Sequence, residues 1–496
     1  MKLRPTLPIP RWIPAFLLAA LALTALALLP EGRHATSKTP SDALKESDRQ
    51  WLPGDHHIHS RRSENYEENT DPPTPIAGTD ADYPIVVNAM KAREYDLAWM
   101  VSTDHGGPTH SAFNLEHAYP EIVQSRSLVP EVLQFYGMEF DVPGGNHASL
   151  IIPQVAGEDS MLYEIERRFG EEEVYPDPSS RDTDEKMLEA LRFMREFEDP
   201  PLVLVNHPTR SGDDYGSYGS NPPEQLRSWN DTAPQVAVGM EGAPGHQGRL
   251  APDGAVRPDG ARGSYDEAPT MGGFDQMTAQ VGGVWDSFLA EGRRWWITAT
   301  SDLHYNWRDG GGDFWPGEYS KTYVYAEKTY DDVLDGLRNG RVFVTLGDLI
   351  TELYVTAEDG DGATASIGET LSVTESESST EIAIRFRDPD RPNARGETPS
   401  VRRVDLILGE VTGPSSDSTA DRNESARVVQ RFTSDEWSTD GDYAVITHRL
   451  EPPSGDYYIR IRGTNTEQME PEPDSLGEDP WADLWFYSNP IFVEHP

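Results

Sequence analysis

Cysteine is missing from all 496 residues. That excludes disulfides, thiolate zinc sites and cysteine nucleophiles together, so any metal centre has to be built from His, Asp and Glu. Positive charge is scarce. The 42 Lys and Arg stand against 85 Asp and Glu, a net charge of −43 with His neutral. A polyanion of that strength repels phosphate backbones and argues against general nucleic-acid binding. Long apolar runs are lacking beyond one near the N-terminus. Aromatic residues are plentiful, with 12 Trp, 20 Tyr and 15 Phe, which is enough for packed cores and excludes wholesale disorder. The length suits two or three domains.

Lys2, Arg4 and Arg11 precede the apolar run 13–29, which Pro30, Glu31 and Gly32 end. A basic start followed by a short apolar stretch reads as an export signal over residues 1–32. The run is also at the lower limit for spanning a bilayer, so an uncleaved anchor that leaves the rest of the chain outside is the alternative. Polar residues 33–50 read as a linker. The expected location is therefore periplasmic or secreted, with a membrane tether through 13–29 as a variant of it.

From 51 to 325, short apolar runs alternate with amphipathic stretches. The strand pattern falls at 55–59, 97–103, 132–138, 148–152, 201–205, 235–240 and 295–300; helical patterns fall at 85–95, 116–125, 185–197 and 277–291. Such alternation implies an α/β fold with a mainly parallel sheet, and seven strands suggest closure into a barrel. A helix at 330–339 lies in a connecting segment, 326–350. Residues 351–496 then carry short alternating runs at 381–386, 404–408, 426–432, 443–450 and 457–462, the pattern of an antiparallel β-sandwich domain. Acidic stretches at 374–380 and 467–480 read as loops.

Of the 13 histidines, ten lie between 56 and 304. They recur, with acids, at the ends of the expected strands. In Asp55-His56-His57-Ile58-His59-Ser60, residues two apart share a strand face, so His57 and His59 point together and form a transition-metal grip. Thr103-Asp104-His105-Gly106-Gly107, Gly137-Met138-Glu139, His147, Asn206-His207-Pro208-Thr209-Arg210 and Ser301-Asp302-Leu303-His304 follow in order. A lone buried His is more often a satisfied core residue than a ligand. Recurrence at five or more successive strand ends favours a site, because barrels of parallel strands place their chemistry at that rim. His246, after another strand end, is either a pocket residue or a loop residue.

This ordered set resembles the PHP (polymerase and histidinol phosphatase) family. The resemblance implies a distorted seven-stranded β/α barrel of TIM-like type over 51–325, with a metal cluster at its rim. It assigns His57, His59 and Asp302 to a first metal, Glu139 as a bridge, His147 and His207 to a second metal, and His105 and His304 to a third. The family's usual third ligand, a His soon after the first motif, is missing here; Glu64, Glu67 and His110 are candidate substitutes. Asp55 and Asp104 match acids expected to orient imidazoles. The tail, with Thr322-Tyr323-Val324-Tyr325, Leu337-Arg338-Asn339-Gly340-Arg341 and Ser488-Asn489-Pro490-Ile491, is similar to metallohydrolases grouped with carbaryl hydrolase.

The expected cofactors are two or three divalent ions of Zn, Mn or Fe, which suit imidazole and carboxylate ligands. They would activate water for attack on a small-molecule phosphoester, with Arg210, Arg61 or Arg62 holding the phosphate. The alternatives are a carbamate, ester or amide substrate on the same cluster, or an exported binding protein without catalysis.

Overall fold

The computed structural model describes residues 48–63, 65–67, 69–76, 78–373, 379–451 and 453–495. The expected signal or anchor, nearly all of the linker and most of the loop at 374–380 lie outside these residues. Among the described residues no helix is long and apolar enough to cross a membrane.

Seven strands run side by side in chain order: β1 (Gln50–Asp55), β2 (Trp99–His105), β3 (Leu133–Asp141), β4 (His147–Ile152), β5 (Leu202–Val205), β6 (Ala237–Ala243) and β7 (Trp296–Ala299). One of them, Leu202-Val203-Leu204-Val205, is apolar without a break, because a strand covered on both faces has no polar side to present. The pairs β1–β2, β2–β3, β5–β6 and β6–β7 are parallel. The exception is β4, antiparallel to both neighbours. Only residues 142–146 connect β3 to β4, too few for a crossover, so the chain turns straight back. Gly137 allows the two strands to pack closely, since a Cβ there would lie 2.4 Å from the Leu150 carbonyl oxygen. One consequence matters for function. His147, the first residue of β4, pairs with Asp141 and stands at the same rim as the C-terminal ends of the parallel strands.

Amphipathic helices accompany these strands. In α1 (Ile85–Glu94), Ile85, Asn88, Ala89 and Ala92 are buried. The helix expected at 116–125 is observed as a π-helical turn, Asn114–Ala118, leading into α2 (Tyr119–Leu128). The helix α3 (Glu158–Phe169) buries Leu162, Ile165 and Phe169. Thr183 caps α4 (Asp184–Met194) by accepting from the Lys186 N–H. Pro223 opens α5 (Pro223–Thr232). The single helix expected over 277–291 is broken: Gln276–Ala279 ends before Gly282, whose φ is +78°, and α6 (Val284–Ala290) starts after it.

The outer edge of β7 is closed by side chains. Thr322 Oγ1 accepts from the Ala299 N–H at 2.8 Å and Asn489 Oδ1 accepts from the Ile297 N–H at 2.9 Å. Both belong to the tail motifs noted above, and both satisfy an edge that would otherwise be exposed. At the rim, the segment after β1 meets the segment after β7: Asp302 N–H donates to the His57 carbonyl at 2.9 Å and His59 N–H to the Leu303 carbonyl at 3.0 Å.

The sheet does not stop near residue 325. Strand β8 (Ser320–Ala326) lies antiparallel on β1, and β9 (Val342–Leu346) lies antiparallel on β8 after α7 (Tyr330–Arg338). The tail contributes β10 (Glu352–Glu358), β11 (Thr380–Arg387), β12 (Arg403–Glu410), β13 (Arg427–Thr433), β14 (Tyr443–Leu450), β15 (Tyr457–Thr464) and β16 (Trp485–Ser488). β16 pairs with β9, so the tail extends the large mixed sheet, while β10, β11 and β14 form the middle of a separate five-stranded antiparallel sheet.

Buried ion pairs fasten the tail. Arg460 on β15 reaches Asp286 on α6 with Nε–Oδ1 at 2.9 Å and Nη2–Oδ2 at 2.8 Å, both side chains 0 % exposed. Arg262 is buried against Asp483 at 2.7 Å and Asp474 at 3.3 Å. Removing one partner of such a pair leaves an uncompensated charge in the interior, at a cost of about 3–5 kcal/mol. Asp286→Ala is therefore expected to lower unfolding stability by about that amount, measured by urea titration; a loss below about 1 kcal/mol would match a surface pair instead.

Candidate metal centre

The two imidazoles that open the site lie just beyond β1, which ends at Asp55. They are held by the bridge to Leu303 rather than by a continued strand. Asp55 stabilises this turn, accepting from the His57 N–H at 3.0 Å and the Ser301 N–H at 3.1 Å. Asp104 does the same for the next turn, accepting from Ser60 N–H and Oγ–H at 2.6 and 2.9 Å. Both were expected to orient imidazoles; their hydrogen bonds hold the loops that carry them. The carboxylate that does reach an imidazole is Glu241, 2.7 Å from His57 Nδ1, and it also accepts from the His207 N–H at 2.6 Å. Its position on β6, amid Gly239-Met240-Glu241-Gly242, offered only a lone acid in an apolar run.

Several overlapping groups of potential ligands meet at this rim, three of which hold the expected residues: His57, His59, Glu139 and Asp302; Glu139, His147 and His207; and His59, Asp80, His105 and His304. In the first, the two Nε2 atoms are 3.1 Å apart. His57 Nε2 is 3.2 Å from both Glu139 Oε2 and Asp302 Oδ1. In the second, Glu139 Oε1 is 3.0 Å from His207 Nε2 and 3.2 Å from His147 Nδ1. In the third, His304 Nε2 is 3.2 Å from Asp80 Oδ2, and His105 Nε2 is 3.2 Å from Glu139 Oε2.

The donor set suits a cation. With Glu241 bound at Nδ1, His57 keeps that proton when a cation displaces the other, so it is Nε2 whose lone pair would face the cluster. Asp302 Oδ1 is buried and has no hydrogen-bond donor. Acceptors converging without donors are costly unless a positive charge lies between them. A cavity of about 360 Å³ opens on the cluster, also lined by Asn146, Ser211, Arg210 and His246.

All eight expected ligands, His57, His59, His105, Glu139, His147, His207, Asp302 and His304, belong to these groups, and Arg210 adjoins them. Its Nη2 donates to Asp302 Oδ2 at 2.9 Å and its Nε to the Gly263 carbonyl at 3.0 Å, which leaves Nη1 without an acceptor among the described residues. Arg61 and Arg62 instead pair with Glu121 on α2. His110 pairs with Glu166 in the interior, and Glu64 lies outside the described residues. The carboxylate that joins His59, His105 and His304 is Asp80, which sequence reasoning missed because Thr79-Asp80-Ala81-Asp82 ends no strand and resembles any acidic loop. His246 does line the cavity: Asp313 fixes its Nδ1 at 2.5 Å, and its Nε2 is 3.2 Å from Asp302 Oδ2. Gly245 makes this approach feasible, since a Cβ there would lie 2.1 Å from that of Asp302.

Burial opposes the Glu139 charge, but His57, His105 and His147 outweigh it and hold the carboxyl well below its usual range. Burial likewise opposes the imidazolium of His147, yet Glu139 raises it to about 9. His304 is raised to about 9 in the same way, by Asp80 and Asp302 against burial. Burial lifts Asp55 to about 7 and Asp104 to about 6. Burial is also the main cause that lowers His207 to about 4.

A scan against protein-family models finds none that matches the chain, and a search of curated proteins finds no match.

Burial opposes the His57 imidazolium too, but Asp302, Glu139 and Glu241 raise it well above its usual value. Without metal, His57, His147 and His304 therefore carry protons at neutral pH that a cation must displace. Zn²⁺ added to chelator-treated protein at pH 7.5 is expected to release about three protons per chain, measured by calorimetry in buffers of different ionisation enthalpy. The linkage sign also follows. A raised histidine stabilises the folded state below its unfolded value near 6.5, and that contribution is lost as pH rises towards 9. The melting temperature of the metal-free protein should fall between pH 7 and 9.5 more steeply than that of the loaded protein.

Proposed function

We propose that the protein is an exported, metal-dependent hydrolase of PHP type, acting on small-molecule phosphoesters with two or three divalent ions. The observation that carries this reading is the division of Glu139: one oxygen faces His57, His59 and His105, the other His147 and His207. A carboxylate so divided is suited to bridge two cations. The contact between the segments after β1 and β7 supports a distorted seven-stranded β/α barrel, and the antiparallel tail strands support a β-sandwich. Asp80 supplies an oxygen where the family usually has a histidine, which supports a third ion.

His57, His59, Asp302 and Glu139 would hold one ion, Glu139, His147 and His207 a second, and Asp80, His105 and His304 a third. Zn, Mn or Fe in these positions would lower the pKa of water and neutralise charge developing on the substrate. The chain's own groups do the rest. Asn206 Nδ2 donates to Glu139 Oε1 at 2.9 Å and fixes the carboxylate. Arg210 offers Nη1 to a substrate oxygen, and the Asp313-anchored His246 presents its ring to the cavity.

Bis(p-nitrophenyl) phosphate, p-nitrophenyl phosphate and an aryl carbamate, assayed side by side, test the reading. Phosphoester turnover is expected, lost in His57→Ala and Glu139→Ala with circular dichroism unchanged. Arg210→Met should raise KM for p-nitrophenyl phosphate about tenfold, the loss of one charge-assisted hydrogen bond. Turnover of the carbamate alone would move the assignment to carboxylic esters and amides, the substrate class suggested by the tail resemblance. Less than one bound metal per purified chain would favour the binding-protein reading.

A further inference from the structure

A larger cavity lies at the other end of β1. His57 and His59 follow its C-terminal end, whereas Gln50, Trp51 and Pro53 of the strand itself line a cleft of about 560 Å³. Lys321 and Tyr323 on β8 form one wall with them. Glu352 and Tyr354 on β10, with Arg387 and the residues after it, form the opposite wall. The cleft thus lies between the large sheet and the five-stranded sheet, and clefts between packed units are common ligand sites.

Its charges are already matched. Lys321 Nζ is 2.6 Å from Asp348 Oδ1, Arg387 Nη1 is 3.2 Å from Glu352 Oε1, Arg387 also pairs with Asp390, and Arg391 pairs with Asp96. Three cations face four carboxylates, so the lining attracts neither an anion nor, with its acids already paired, a metal ion. Hydrogen-bonding capacity nonetheless remains. The Lys321 side chain is 4 % exposed and its ammonium makes one hydrogen bond, to Asp348; two of its N–H groups have no acceptor among the described residues. Tyr323, two residues along the same strand face and 5 % exposed, has a hydroxyl with no partner among the described residues. Burial, together with nearby Asp348 and Glu352, keeps that phenol protonated and hence a donor. The rings of Trp51, Tyr323 and Tyr354 supply flat apolar surface between these groups.

A ligand suited to this lining has an apolar face for the rings and neutral groups that both accept and donate. Hydroxyls meet the second need, since each can accept a hydrogen bond from Lys321 or Tyr323 and donate one to Asp348 or Glu352. A phosphate or carboxylate would bring only acceptors and a charge that the four acids repel.

We propose that this cleft is a second binding site, separate from the metal centre, for a neutral polyhydroxylated ring: a saccharide unit held by Lys321, Tyr323 and Asp348 against Trp51 and Tyr354.

The full-length protein would be screened on a glycan array. Neutral hits, with maltotriose, cellotriose and tri-N-acetylchitotriose in any case, would then be titrated by calorimetry beside glucose 6-phosphate and digalacturonate. At least one neutral glycan is expected to bind, more tightly than the anionic probes. Tyr323→Phe, which keeps the ring, should weaken binding about fivefold, the scale of one hydrogen bond. Asp348→Asn should weaken it similarly while tolerating the positive φ of +53° at that position. Metal content should be unchanged in both variants, which shows that they are folded and that the two sites are independent. Absence of any neutral glycan on the array, preference for the anionic probes, or full affinity in both variants would overturn the proposal.

Discussion

A carboxylate shut away from water has to be surrounded by positive charge, and Glu139, 1 % exposed, is where this structure meets that constraint. Five histidines from four separate chain segments approach its two oxygens. To bring them there the backbone accepts unusual conformations. His207, His246 and Asp302 have φ values of +30°, +58° and +48°, in the left-handed region that non-glycine residues avoid at a cost of about 1–3 kcal/mol each. Such strain persists only where the surroundings over-determine it, and here the bonds from Glu241, Asp55, Asp313 and Arg210 do so.

Connectivity at the rim follows from the sheet. Parallel strands deliver the residues after β1, β2, β5, β6 and β7 to one end, and the reversal of β4 brings His147 to that end from the opposite chain direction. The side chains of Thr322 and Asn489 seal the last strand while the segments beyond β1 and β7 join.

The C-terminal strands also reach the centre, although none of their side chains is among the ligands. Asp474 and Asp483 neutralise buried Arg262. Its neighbour Gly263 receives the Arg210 Nε–H through its carbonyl, and Arg210 in turn holds Asp302. The tail therefore stabilises the loop from which the cavity's guanidinium is positioned. Together with the shared sheet, this makes the region after 350 part of the same packed body as the metal centre. Among the described residues each buried arginine is matched to carboxylates.

The sequence by itself determined the ligand chemistry, since without cysteine only imidazole and carboxylate were available. Histidines repeated near strand ends marked His57, His59, His105, His147, His207 and His304, and apolar runs placed six of the seven strands of the α/β half within a few residues; the first, expected at 55–59, runs over 50–55 instead, and His57 and His59 lie beyond it. Periodicity could not reveal direction. The reversal of β4 depends on a connection too short to cross over, and the break at 280–283 depends on glycine backbone angles. Asp80, Glu241 and Asp313 were invisible for a related reason: an acid in a loop or apolar run has no local pattern, and only chain folding gives it an imidazole to face. Local sequence fixes which groups can bind a cation; which of them share one is decided by long-range packing, because ligand distances of 3 Å are set by residues up to hundreds of positions apart.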